Sequence, residues 1–220
     1  MQLEHGEKVV FTGDSITDCG WARPGQGGGN GPLGNGYVSL VEAALRTVYP
    51  DRVIALANRG RSGGTVRSVD GHWQDDVVKP APAWISICIG INDVWRQFDS
   101  PQNPACHVLP EEYEETLGRL VGEGVGLAAK GVVLMTPFMI EPNPAEPMRA
   151  VMDRYGAICR RVAEAHGARF VDLQAVFDRL LAHVHAYRLA GDRIHPNTAG
   201  HLAIARAFLG ALDFDWTRTP

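Results

Sequence analysis

The stretch FTGDSITDCG, Phe11 to Gly20, sets Ser15 directly behind an apolar run and a Gly-Asp pair. A serine hydroxyl attacks a carbonyl only when a base takes its proton and donors receive the oxyanion. A candidate base lies near the far end of the chain, in GDRIHPNTAGH, Gly191 to His201, where Asp192 and His195 stand three residues apart. A turn there brings carboxylate and imidazole together. Asp192 then fixes the tautomer of His195 and stabilises its protonated form, and His195 can take the Ser15 proton and return it to a leaving alcohol. The same segment also reads as a turn with Asn197 capping the helix that follows, and the two readings are compatible. Donor candidates are the backbone N–H of Gly63 in NRGRSGGT, where no side chain blocks a reacting carbonyl, the amide of Asn92 in GINDVW, and the N–H of Ser15 itself. Taken singly, Gly63 reads equally as a turn glycine and Asn92 as an Asx turn.

Other patterns compete. GRSGG, Gly60 to Gly64, matches the G-x-S-x-G nucleophile elbow, with Ser62 in the attacking position and Asp192 and His195 following in order. Only two strand candidates precede it, fewer than that elbow normally has in front of it. GNGPLG, Gly29 to Gly34, matches G-x-G-x-x-G but follows no strand directly and contains Pro32, so a dinucleotide site is not expected; Gly25 to Gly36 reads as a mobile loop beside the site. Asp192, His195 and His201 could ligate a metal, but His201 lies past the start of a helix and no second acidic cluster supports it. No metal or cofactor is expected. Trp21 and Trp95 follow the Ser15 and Asn92 blocks closely, so either ring could lie against a sugar; each could equally fill core or cover a subunit contact.

The elements that must position these groups alternate along the chain. Strand candidates are Lys8 to Thr12, Val53 to Ala57, Trp84 to Ile89, Val132 to Thr136 and Arg169 to Val171, all rich in Val and Ile without strict alternation, as in a parallel sheet buried on both faces. Helices are predicted over Tyr37 to Val48, Pro110 to Lys130, Pro147 to His166, Leu173 to Val184 and Thr198 to Leu212. This alternation implies an α/β three-layer sandwich. With no internal repeat or linker, residues 1–220 are expected to form one domain. Ligands of such sheets sit outside the carboxyl ends of the strands, which is where the Ser15, Gly63 and Asn92 segments fall and where the Asp192–His195 segment is expected.

The four segments in this order resemble the SGNH-hydrolase superfamily, also called GDSL-type esterases, named for blocks carrying Ser, Gly, Asn and His. The blocks match GDSITD with Ser15, NRGRSGGT with Gly63, GINDVW with Asn92, and DRIHPNTAGH with Asp192 and His195; one departure is GDSI where the name-giving motif has Leu. The resemblance spans nearly the whole chain. It implies a flavodoxin-like fold with a five-stranded parallel sheet, Ser15, Asp192 and His195 as catalytic triad, and Ser15, Gly63 and Asn92 as oxyanion hole. GDSITDCG, the glycine-rich segment leading into GYV, and GINDVW further resemble the acetylxylan esterase members, which deacetylate xylan or xylo-oligosaccharides and some of which form homo-oligomers. A thioesterase or lysophospholipase of the same superfamily, or a carbohydrate-binding protein without turnover, are the competing expectations.

Composition narrows the partners. Of 220 residues, 45% are hydrophobic and 21% charged, with a net charge of −4 and no basic stripe, so nucleic acid is not an expected partner. The four cysteines, Cys19, Cys88, Cys106 and Cys159, form no C-x-x-C, and Cys88 sits inside a strand candidate. Free thiols suit a reducing compartment, and MQLEHGEKVV has no apolar signal region. A cytoplasmic enzyme on a small ester, an acetylated oligosaccharide, away from membranes, is therefore the expectation.

Overall fold

A computed structural model of the chain describes residues 1–23, 29–128 and 130–219. Five strands, β1 (Lys8–Gly13), β2 (Ala55–Asn58), β3 (Trp84–Cys88), β4 (Gly131–Met135) and β5 (Arg169–Val171), form one all-parallel sheet in the order β2-β1-β3-β4-β5. The sandwich and flavodoxin-like sheet expected from the sequence are both present. Every residue of β3 is buried, as are all but the first of β1 and β4. That is why these runs carry Val, Ile and Leu without a polar alternate: helices cover both faces. β2 is an edge strand and more open.

The helices are α1 (Ser15–Asp18), α2 (Tyr37–Val48), α3 (Val66–Trp73), α4 (Ile91–Asp99), α5 (Pro110–Leu127), α6 (Pro147–His166), α7 (Leu173–Leu181) and α8 (Thr198–Ala211). One π turn, Gln74–Val78, continues α3. Pro opens α5 and α6, where its missing N–H would have had no partner, and Gly167 closes α6 in the left-handed conformation. The apolar stripes of the helices meet the sheet in one continuous core that includes Phe11, Tyr37, Ile85, Tyr113, Leu134, Phe177 and Phe208.

Sequence expectation and structure part at several places. GINDVW, Gly90 to Trp95, read as a strand-end loop, instead opens α4; residues 66–73, which lie between the second and third strand candidates, form α3; β2 begins two residues later than predicted, because Val53 is exposed and outside the ladder; and α5 and α7 end at Leu127 and Leu181, short of the predicted Lys130 and Val184. The sheet order places the topological switch between β1 and β3. Chains leaving these two neighbouring strands depart in different directions and open a crevice at their carboxyl ends.

Candidate active site

β1 delivers Ser15 to that crevice. Gly13 ends the strand where a Cβ would lie 2.1 Å from the Cys88 carbonyl oxygen, so only glycine lets β1 and β3 approach there. Asp14 caps α1, its carboxylate accepting from the Ile16 N–H at 2.9 Å. Ser15 is then the first residue of α1, partly exposed, with a backbone N–H for which no described residue supplies an acceptor.

The far segment meets it from the other end of the chain. Ser15 Oγ lies 2.9 Å from His195 Nε2, and His195 Nδ1 lies 2.6 Å from Asp192 Oδ2. The three-residue spacing works through a turn. Asp192 Oδ1 accepts from the N–H groups of Ile194 (2.9 Å) and His195 (2.8 Å), while Oδ2 faces the ring. One carboxylate thus shapes the turn and orients the imidazole. Partial burial works against charge on Asp192, but the His195 ring and these two N–H groups outweigh it and hold the carboxyl below its usual range. With Asp192 ionised, Nδ1 must carry a proton, which leaves Nε2 free to accept one from Ser15. Asn197 caps α8 behind the turn through Ala199 and Gly200.

Two more donors border the serine's crevice. Gly63 has φ +76°, and a Cβ there would meet nothing within 4 Å. The glycine suits a left-handed turn that other residues adopt at a cost, and the space beside it is open. Gly64 closes this turn by donating to the Arg61 carbonyl (2.9 Å), and the Gly63 N–H has no acceptor among the described residues. Asn92, in the first turn of α4, is buried; its Nδ2 donates to the Gly64 carbonyl at 2.9 Å, which leaves the second N–H of the amide available.

Ser62 is tied down elsewhere. Its hydroxyl and its N–H both donate to Asp18 Oδ2 at 2.9 Å, and Arg23 pairs with the same oxygen at 2.7 Å. Burial opposes charge on Asp18, and Arg23 and Ser62 more than offset it. Ser62 faces a carboxylate rather than an imidazole, so the G-x-S-x-G match is not a nucleophile elbow. Asp18 joins α1 to the turn that carries Gly63, a link the sequence reading missed although its i, i+3 spacing from Ser15 was visible. Cys19, four residues after Ser15, is no rival nucleophile: burial and the charges of Asp18 and Asp14 push its thiol up to about 12.

The tryptophans separate. Trp21 is buried, its indole N–H donating to the Gly60 carbonyl (3.0 Å) and its ring under the guanidinium groups of Arg23 and Arg59 at 5.1 and 5.4 Å. It props the Gly63 turn and offers no open face to a sugar, which corrects one of the two substrate-contact expectations. Trp95 stands edge-on to His195, ring centroids 6.0 Å apart. His201 turns away from the triad towards Cys19 Sγ (3.4 Å) and stacks near Tyr37, and burial followed by the His195 charge depresses it to about 4. No group of three or more His, Cys, Asp or Glu poised for a metal occurs among the described residues. Of the segment 25–36, residues 25–28 lie outside the described residues; the rest is hydrogen-bonded to the turn after α1 through Asn30 and Asn35.

This arrangement has counterparts. An acetylxylan esterase of Geobacillus stearothermophilus is 49% identical over 219 residues, covering all of both chains. A crystal structure of that enzyme superposes with a TM-score of 0.94 at 48% identity, again over all of both chains. Structures described as its catalytic mutants replace a serine, a histidine and an aspartate by alanine. LAE5, an alpha/beta hydrolase enzyme from the metagenome of Lake Arreo, Spain, is 50% identical over 97% of this chain and 98% of its own, with a TM-score of 0.92. The GDSL-like lipase/acylhydrolase family model matches residues 11–203, a span that begins in β1 and ends in α8 and so takes in each of the four segments brought together at the crevice. With that span and this identity, the chain belongs to the GDSL-like lipase/acylhydrolase family.

Proposed function

We propose that the protein is a serine esterase that removes acetyl groups from xylo-oligosaccharides through an acyl-enzyme. The observation that carries the reading is the unbroken line from Asp192 through His195 to Ser15, at 2.6 and 2.9 Å, beside the N–H groups of Ser15 and Gly63, which have no acceptor among the described residues. Ser15 Oγ attacks the acetyl carbonyl as His195 Nε2 takes its proton. The developing oxyanion is received by the N–H groups of Ser15 and Gly63 and by the Asn92 amide. His195 then protonates the sugar oxygen as the C–O bond breaks, and the deacetylated sugar leaves. Water, deprotonated by His195, attacks the acetyl-Ser15; the bond from the acetyl carbon to Ser15 Oγ breaks as His195 returns the proton to Oγ, and acetate departs. Asp192 holds the imidazolium throughout.

The sugar is supported by the Geobacillus stearothermophilus relative, described as an acetyl-xylooligosaccharide esterase and 49% identical over the whole chain. The position of Trp95, edge-on to His195, supports a role for its ring in packing against the sugar. A cytoplasmic setting fits four free cysteines, and no described helix is long and apolar enough to cross a membrane. A homo-oligomer fits the exposure of Val184, Tyr187, Leu202 and Trp216.

The test has two arms. A fluorophosphonate should label Ser15 and nothing in the Ser15→Ala variant; absence of label would return the chain to a binding role. Acetate release from acetylated xylo-oligosaccharides should exceed turnover of p-nitrophenyl octanoate in kcat/KM. The reverse ranking with no acetate released would replace the sugar by a lipid or thioester substrate while leaving the serine chemistry standing.

A further inference from the structure

The geometry points to Arg96 as the positioning residue of the oxyanion hole, acting through the amide of Asn92; this rests on the esterase reading given above. Asn92 and Arg96 are one turn apart on α4, hence on one face of the helix. Arg96 Nη2 donates to Asn92 Oδ1 at 3.2 Å, while Asn92 Nδ2 donates to the Gly64 carbonyl at 2.9 Å. A guanidinium can only donate and a carbonyl can only accept, so the two contacts agree on which end of the amide is oxygen. Turned over, the amide would aim a lone pair at the oxyanion and set two acceptors against each other at Gly64.

Arg96 also bears on the strength of the donor. A cation bonded to Oδ1 draws electron density from the amide and makes its free N–H more acidic, and chained hydrogen bonds reinforce one another in this way inside a protein. Asn92 is buried, so without Arg96 its Oδ1 would lose its one described partner where water is scarce. The guanidinium is held in turn by Asp99, which pairs with Nη1, and by the Trp95 ring, whose centroid lies 5.0 Å below it. Removing Arg96 should therefore weaken transition-state stabilisation and leave ester binding nearly untouched.

A double-mutant cycle on p-nitrophenyl acetate hydrolysis separates this role from a structural one. Arg96→Met should lower kcat about tenfold with KM within about twofold, and Arg96→Lys, which keeps a donor on a long stem, should recover most of that loss. In an Asn92→Ala background the same Arg96→Met change should cost less than about twofold, because the group it acts through is gone. An undiminished loss in that background overturns the proposal and moves the Arg96 effect to Trp95 and His195; so does full activity of Arg96→Met. If that variant does not fold, Arg96→Leu takes its place in the cycle. Should Asn92→Ala itself leave kcat unchanged, the oxyanion assignment fails and Arg96 with it; Ser15 labelling then shows whether the esterase reading survives.

Discussion

Ser15 and Ser62 are both serines at a strand-to-helix turn, and their surroundings assign them opposite fates. Ser15 faces His195 Nε2, a base that can accept a proton; Ser62 donates to Asp18, already charged and paired to Arg23. Ser15→Ala should lower kcat by on the order of 10⁴–10⁶-fold, the scale of losing a triad nucleophile. Ser62→Ala loosens only one tie on the Gly63 turn and should stay within about tenfold of the parent. Reversed results would make Gly60 to Gly64 the site. Asp192→Asn turns the imidazole to the wrong tautomer and should cost up to about 10⁴-fold in kcat. The carboxylate is 48% exposed, so water can take over part of its role, and values below that ceiling are consistent with the geometry. A loss under about threefold would show that His195 is oriented by something other than Asp192.

The Asp192–His195 turn is an element that the rest of the fold must hold still. Arg193, between the two, has φ +64°, a conformation costly for a side chain other than glycine. It is clamped twice to the segment after β4: its carbonyl accepts from the Ile140 N–H at 2.9 Å, and its guanidinium pairs with Glu141 at 2.6 Å. That segment is itself anchored by buried Arg149, which donates to the Glu141 carbonyl and, through both terminal nitrogens, to the two carboxylate oxygens of Asp178 on α7. Arg193→Gly suits the backbone but severs the ion pair. Its net effect on stability should stay within about 1 kcal/mol, since the relief of φ and the loss of a half-exposed pair oppose each other. The turn then holds His195 less firmly, and kcat should fall severalfold with KM little changed. Thermal unfolding measured beside kcat decides it: an unchanged kcat would show that the clamp does not hold the triad.

Across the whole molecule, two buried carboxyls beside the site set the response of stability to pH. Asp93 is almost fully buried; one of its oxygens caps α3 by accepting from the Val66 N–H at 2.9 Å, and the other has no partner among the described residues. Burial raises it to about 7, and burial, then the Asp93 charge, raises Asp14 to about 7 as well. The usual carboxylate in an unfolded chain titrates near 4. Between about pH 4 and pH 7 the folded state therefore holds protons that the unfolded state has released. These groups make the protein lose stability as pH rises through that window, by at most about 1.4 kcal/mol per pH unit for each, with no further loss above it. Asp93→Asn cannot ionise and keeps an acceptor for Val66. Denaturant unfolding at pH 5 and pH 8 should show a smaller drop for this variant than for the parent; equal drops would show that Asp93 does not titrate in this window.

By itself the sequence determined what depends on neighbours along the chain. Apolar runs located all five strands, although the Val53-Ile54 pair that announced β2 lies just outside it, and the spacing of apolar residues fixed α2 and α6 to their terminal residues, because burial on a helix or strand repeats at the period of its own backbone. The Asp192–His195 turn was legible for the same reason: three residues are enough to close it. α4 was not, because Asn92 and Asp93 behind Gly90 are loop formers locally, and what makes them helical is the burial of Ile91 and Val94 in a helix packed on α6. Tertiary structure alone decided which serine meets a histidine 180 positions away, that Trp95 rather than Trp21 lies against His195, and that Asp18 holds Ser62. These are contacts between strand-end loops, and the sheet order β2-β1-β3-β4-β5 settles which loops are neighbours. A chain's local propensities specify its elements; only the packing of those elements, each burying its apolar face against the others, specifies which of their ends come together.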